Sequence, residues 1–123
     1  MNLNRTILIV DDEAPIRKLS QRLLKRNHYE TMEAANGNEA LSQYESNPEQ
    51  VDGVLLDLNL PDGTGEEWAE KFREIKPDIP IIYFTGSNPP ACRGGVSRSY
   101  YLKKPFTPAS VSELLQEVFP ETV

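Results

Sequence analysis

No second cysteine accompanies Cys92, so an internal disulfide is excluded. His28 is the only histidine and has no sequence partner for a metal or a catalytic pair. No window approaches the ~20 consecutive apolar residues that cross a bilayer, and no basic region followed by a long apolar run opens the chain as a secretory signal would. Basic side chains are also short in number, 13 against 19 acidic, and the resulting net charge of -6 opposes direct binding to nucleic acid or to an anionic membrane. These absences lead us to expect a cytoplasmic domain whose partners are proteins. At 123 residues the chain fits one domain, residues 1–123, and size scaling lets it bury roughly two-thirds of its unfolded surface without staples.

What is present is organised around Val54-Leu55-Leu56-Asp57-Leu58-Asn59-Leu60-Pro61-Asp62-Gly63-Thr64-Gly65. The apolar run reads as a strand buried on both faces, with Asp57 at its C-terminal tip and Pro61 and Gly63 turning the backbone away. Thr6 to Val10 is a second such strand, ending in Asp11-Asp12-Glu13, and a helix follows with Pro15 in its first turn and Ile16, Leu19 and Leu23 on one face up to about Asn27. Thr31 to Ala34 predicts a weaker strand, Asn36-Gly37 a turn, and Ala40, Leu41 and Tyr44 one side of a helix that stops before Pro48. Thr64 with Glu67 makes a capping-box pattern for a helix carrying Trp68, Phe72 and Ile75. Ile79 to Phe84 is a strand closed by Thr85-Gly86, and Tyr100 to Leu102 is another. Between them Pro89, Pro90, Gly94 and Gly95 leave room for only a short or irregular fourth helix. Thr107 and Pro108 start a last helix with Val111, Leu114, Leu115 and Val118 inward, ended by Pro120. Five β-α units predict a flavodoxin-like, doubly wound α/β fold, a five-stranded parallel sheet of order 2-1-3-4-5.

That order sets the first and third strands side by side, so the acids Asp11, Asp12 and Asp57 meet, with Thr85 and Lys104 ending neighbouring strands. Clustered carboxylates repel and recruit a cation, and an all-oxygen set prefers a hard ion such as Mg²⁺ to zinc. Asp57, alone on the central strand, is the candidate nucleophile for an acyl phosphate. Asp12 is the candidate metal ligand, and Lys104 and Thr85 are placed to stabilise phosphoryl oxygens.

The motifs ILIVDDE (7–13), LLDLNLPDGTG (55–65), FTG (84–86) and YLKKPF (101–106), in this order and spacing, resemble the response-regulator receiver domain of two-component signalling. The resemblance implies a phosphoacceptor, Asp57, charged by a sensor histidine kinase or a histidine phosphotransfer protein. It implies Mg²⁺ held by Asp12, Asp57 and the backbone carbonyl of Asn59, with Asp11 supporting from just outside. It implies that Lys104 contacts the phosphoryl group across a cis Lys104-Pro105 bond, that Thr85 moves toward it, and that Tyr101 changes rotamer in the switch that signals to a downstream protein. A self-phosphorylating and self-dephosphorylating switch is expected, not an enzyme that turns over a separate substrate. Asn59 and Ser87, two residues beyond Asp57 and Thr85, are candidates for tuning the attack of water on the acyl phosphate. Only 19 positions separate Thr85 from Lys104, fewer than is usual for the family, as in receivers attached to sensor kinases. The alternatives are therefore an independent regulator, a receiver module of a hybrid sensor histidine kinase, and an interaction module that works without phosphorylation.

Two rivals share the architecture or the chemistry. A flavin carrier needs amides and hydroxyls after the first strand to hold a phosphate, which Asp11-Asp12-Glu13 would repel. An aspartate-nucleophile phosphatase of the type with Asp-x-Asp on its first strand is not matched by adjacent acids there.

Overall fold

The computed structural model describes residues 5–86, 98–104 and 106–119. A parallel sheet of five strands forms the centre: β1 (Thr6–Val10), β2 (Glu30–Ala34), β3 (Gly53–Asp57), β6 (Ile81–Thr85) and β7 (Ser99–Lys103), in the order β2-β1-β3-β6-β7. This is the expected 2-1-3-4-5 arrangement. The remaining two strands, β4 (Asn59–Leu60) and β5 (Gly63–Thr64), form a small antiparallel hairpin directly after Asp57, where Pro61 and Gly63 predict only a turn of the backbone.

β1, β6 and the middle of β3 consist of β-branched, aliphatic and aromatic residues because both faces of a parallel sheet are covered. Alternate side chains divide between two layers. Ile7, Ile9, Leu55, Ile82, Phe84 and Leu102 pack on one side with Leu23 and Leu24 of α1 (Ala14–Arg26) and Val111, Leu115 and Val118 of α4 (Pro108–Val118). Leu8, Val10, Val54, Leu56, Ile81 and Tyr83 pack on the other side with Ala40 and Tyr44 of α2 (Gly37–Ser46) and Ala69 and Phe72 of α3 (Gly65–Ile75).

The helix starts follow their caps. Thr64 and Glu67 form the expected capping box, Thr107 forms a second one with Ser110, and Pro15 and Pro108 occupy first-turn positions where their missing amides cost nothing. Asn36-Gly37 is not a free turn: Asn36 is the N-cap of α2, and Gly37 is its first residue. Two residues of the expected apolar stripes do not face the core. Leu19 and Ile75 are exposed; Leu23 is buried and Ile16 packs on the core as expected, but the buried face of α1 continues through Ser20 and Leu24 and leaves Leu19 outside. A three-residue spacing alone cannot separate two adjacent helical rows when both contain leucine. The predicted fourth helix, together with Ser87, Pro120 and the Lys104-Pro105 bond, lies outside the described residues.

Candidate functional site

The C-terminal ends of β1, β3, β6 and β7 meet on one edge of the sheet. Backbone pairing aligns Val10 with Leu56, so the residues just past that pair, Asp11 and Asp57, come out side by side. Asp57 pairs with Phe84, and the amide of Lys104 donates to the Thr85 carbonyl at 2.7 Å, which brings β6 and β7 to the same rim. Side-chain oxygens of Asp11, Asp12 and Asp57 all lie within 4.8 Å of one another. Asp11 and Asp57 are buried, whereas Asp12 faces solvent.

The two buried acids are each held from more than one direction. The Glu13 amide donates to Asp11 Oδ1 at 2.8 Å, and Arg17 Nη1 donates to the Asp11 carbonyl at 2.7 Å, so the first turn of α1 fixes this residue. The Asn59 amide donates to Asp57 Oδ1 at 3.2 Å. Lys104 Nζ stands 3.4 Å from Asp11 Oδ2 and 3.5 Å from Asp57 Oδ2, distances of ion pairs, too long for strong hydrogen bonds. The same ammonium lies 4.6 Å from the centre of the Phe84 ring.

Burial lifts the Asp11 carboxyl above the ordinary carboxylate range; the Glu13 amide pulls it back, the neighbouring Asp57 charge raises it again, and Lys104 lowers it. One ammonium thus serves two buried acids with a third beside them. Such an excess of negative charge on hard oxygen donors fits a divalent cation of the Mg²⁺ kind, with Asp11, Asp12 and Asp57 as its carboxylates.

The remaining expected residues also reach this edge or its flank. Thr85 is buried at the end of β6. Asn59 begins β4 and touches the site through its backbone. Tyr101 lies on β7 opposite Tyr83, the two rings stacked with centres 5.2 Å apart. Sequence reading missed Phe84 beneath Lys104, Arg17 on the Asp11 carbonyl, and Asp62, which accepts from the Gly37 and Asn38 amides, each at 2.9 Å. Phe84 and Asp62 act across strand pairings or loops that no local pattern reports. Arg17 could have been found, since it lies one helical turn beyond the acids.

A doubly wound sheet with an acid cluster at its switch point defines the receiver class of signalling domain. The chain belongs to the response regulator receiver domain family, whose description matches residues 7–116. It is 37% identical over 125 residues to the phosphate regulon transcriptional regulatory protein PhoB of Pseudomonas aeruginosa, covering 98% of this chain and 54% of that protein. It is 40% identical over 109 residues to the transcriptional regulatory protein ResD of Bacillus subtilis, covering 85% of this chain and 44% of that protein. The chain therefore spans about half the length of these regulators. Among solved structures, the chemotaxis protein CheY4 of Vibrio cholerae superposes with a TM-score of 0.85 at 30% identity, over 95% of this chain and all of that one. The response regulator TrrA of Thermotoga maritima, in complex with Mg²⁺ and BeF, gives 0.79 at 32% identity over 94% and 99% of the two chains. The receiver domain of the hybrid histidine kinase CckA gives 0.79 at 28% identity over 92% and 97%. The phosphoacceptor role is general to this family of two-component signalling domains.

Proposed function

We propose that Asp57 accepts a phosphoryl group from the phosphohistidine of a sensor histidine kinase or a histidine phosphotransfer protein, and that the modified domain signals to a downstream protein. The observation that carries this reading is the Asp57 carboxylate at the tip of β3, with oxygens of Asp11 and Asp12 within 4.8 Å and the Lys104 ammonium 3.5 Å away. An Asp57 side-chain oxygen attacks phosphorus, the phosphorus–nitrogen bond of the donor breaks, and the electron pair returns to the imidazole. The product is an acyl phosphate.

Asp12, Asp57 and the backbone carbonyl of Asn59 would hold Mg²⁺, with Asp11 in support; the ion supplies positive charge against the phosphoryl oxygens. Lys104 supplies a second positive charge and is already held at the carboxylate that gains the group. Phe84 and the Asp11 carboxylate orient the ammonium before any phosphoryl arrives. Thr85 would approach the modified Asp57, and Tyr101 would change rotamer with it. Water resets the domain by attacking the acyl phosphate, which returns the Asp57 carboxylate and releases inorganic phosphate, so the domain is a switch and has no separate substrate. With the acidic balance noted above, its partners are proteins and not nucleic acid or membrane, and the compartment is the cytoplasm. The likeness to the CckA receiver supports a second reading, a receiver module of a hybrid kinase.

The test is intact-mass measurement after incubation with acetyl phosphate and Mg²⁺. One phosphoryl gain is expected in the wild type and none in Asp57→Asn; equal gain in both would overturn the reading.

A further inference from the structure

The hairpin that follows Asp57 is held at both ends. At its base, the Asn59 amide donates to Asp57 Oδ1 at 3.2 Å, and the Gly65 amide donates to the Leu58 carbonyl at 2.9 Å. Asn59 pairs with Thr64 and Leu60 with Gly63, which leaves Pro61-Asp62 as the two-residue tip. Gly63 has φ +145°, a conformation open to glycine and strained for other residues, so the tip is built to turn sharply here. There the Asp62 carboxylate accepts from Gly37 at one oxygen and from Asn38 at the other, both at 2.9 Å. These are the first two amides of α2, donors that no partner within the helix can satisfy.

The helix has its own cap as well. Asn36 accepts from the Glu39 amide at 2.7 Å, and the Glu39 carboxylate accepts from the Ala35 amide at 3.0 Å. A hairpin with two-residue strands cannot hold its own shape in water. The bonds from Asp62 tie it to an element more than twenty positions earlier in the chain, one held in place by the burial of Gly37, Ala40 and Tyr44.

We propose that Asp62 is a positioning residue: by clamping the hairpin tip to the start of α2, it fixes the backbone of Asn59 at the other end of the hairpin and so sets the affinity of the site for its cation. The cation half of this inference rests on the function proposed above.

The experiment compares wild type, Asp62→Ala, Asp62→Asn and Asn36→Ala. Mg²⁺ alone is the calorimetric probe, and hydrogen exchange at the Asn59 amide is read in metal-free protein. Asp62 is exposed, so its variants should fold. In Asp62→Ala, Mg²⁺ affinity is expected to fall about tenfold, the lower end of what groups behind metal ligands contribute, with faster exchange at Asn59. Asp62→Asn keeps one acceptor and should fall between. Asn36→Ala removes a cap from the same helix without touching the hairpin, so it should lose stability but keep its Mg²⁺ affinity.

Unchanged affinity in Asp62→Ala would overturn the proposal, as would an equal loss of affinity in Asn36→Ala. A wild type that binds no Mg²⁺ would overturn the proposed function and the cation half together. The exchange comparison would then decide alone whether Asp62 holds Asn59.

Discussion

The ammonium of Lys104 lies 4.6 Å from the centre of the Phe84 ring, a contact that joins the residue just past β7 to the core residue paired with Asp57. Its other neighbours are the buried carboxylates of Asp11 and Asp57, at 3.4 and 3.5 Å. The ring holds the cation where both acids can use it. With Lys104 about one-fifth exposed, neither water nor salt fully screens these contacts.

Replacing Lys104 by methionine keeps an unbranched side chain, shorter by the terminal nitrogen, and removes the charge together with its contact with Phe84. Two buried carboxylates then lose their cation. Metal-free stability should fall by about 2 kcal/mol, less than a fully buried pair would lose. Mg²⁺ should bind more tightly than in the wild type, because no ammonium competes, and should restore most of the loss. Urea unfolding with and without Mg²⁺ checks both effects. Unchanged metal-free stability together with unchanged Mg²⁺ affinity would mean that the ammonium is not coupled to the acids.

Asp11 responds to pH in the opposite sense to a salt-bridged surface acid. Its carboxyl is raised, chiefly by burial, so the folded protein holds this proton at a pH where the unfolded chain has released it. The stability Asp11 contributes is therefore complete below the unfolded value and is lost as pH rises through the folded one. At neutral pH the buried charge is a cost. Asp11→Asn should stabilise the metal-free protein by on the order of 1 kcal/mol near pH 7. That advantage should shrink as pH falls toward the ordinary carboxylate range. Because Asp11 also belongs to the acid cluster, added Mg²⁺ should stabilise the variant less than the wild type. A variant less stable than wild type at pH 7 without metal would contradict the assignment.

The sheet was legible from sequence because its signals are local. Thr6 to Val10, Val54 to Asp57 and Ile79 to Phe84 are short apolar runs with polar residues at or just past their ends, and their alternation with helices fixes parallel pairing. The meeting of Asp11 with Asp57 followed from strand order alone. The groups that steady the site were harder to find. Phe84 reads as one more core aromatic, and only the β3–β6 register puts it beside Asp57 and under Lys104. Asp62 reads as a turn acid, since nothing within a few residues shows that its oxygens serve α2. The position of Leu19 has a similar source: both Leu19 and Ser20 fit a helical stripe, and packing against the sheet and α4 on the same side selects the row with the serine.

Gly65 is the point where helix α3 presses on the end of strand β3. A methyl group there would lie 2.7 Å from the Asp57 carbonyl oxygen and 3.1 Å from the Leu58 α-carbon. Both are backbone atoms and cannot rotate aside. Gly65→Ala must therefore shift either the start of α3 or the chain at Asp57, at a cost of about 1–3 kcal/mol, the range for overpacked interiors. Part of that shift should reach the carboxylate and lower phosphorylation by acetyl phosphate. Thermal unfolding and intact-mass measurement check the two effects separately. Wild-type stability in the variant would show that the close approach is relieved elsewhere.

Tyr44 supplies a prediction remote from the acids. Its ring is fully buried against Phe72, with centres 5.4 Å apart in an edge-on contact, and its hydroxyl has no hydrogen-bond partner among the described residues. Burial, with a smaller push from Asp78, moves the phenol up to about 12. Tyr44→Phe keeps the ring contact and removes the unpaired hydroxyl, so the variant should gain about 1 kcal/mol at pH 7. The sign at alkaline pH follows from linkage. The unfolded tyrosine ionises near its ordinary value of 10 while the folded one keeps its proton, so the wild type loses stability as pH rises from there through about 12. Phenylalanine has no proton to lose, and the gap between the two proteins should widen above pH 10. Denaturant unfolding of both proteins at neutral and alkaline pH measures that gap; a variant destabilised at pH 7 would mean that the hydroxyl is paired in solution.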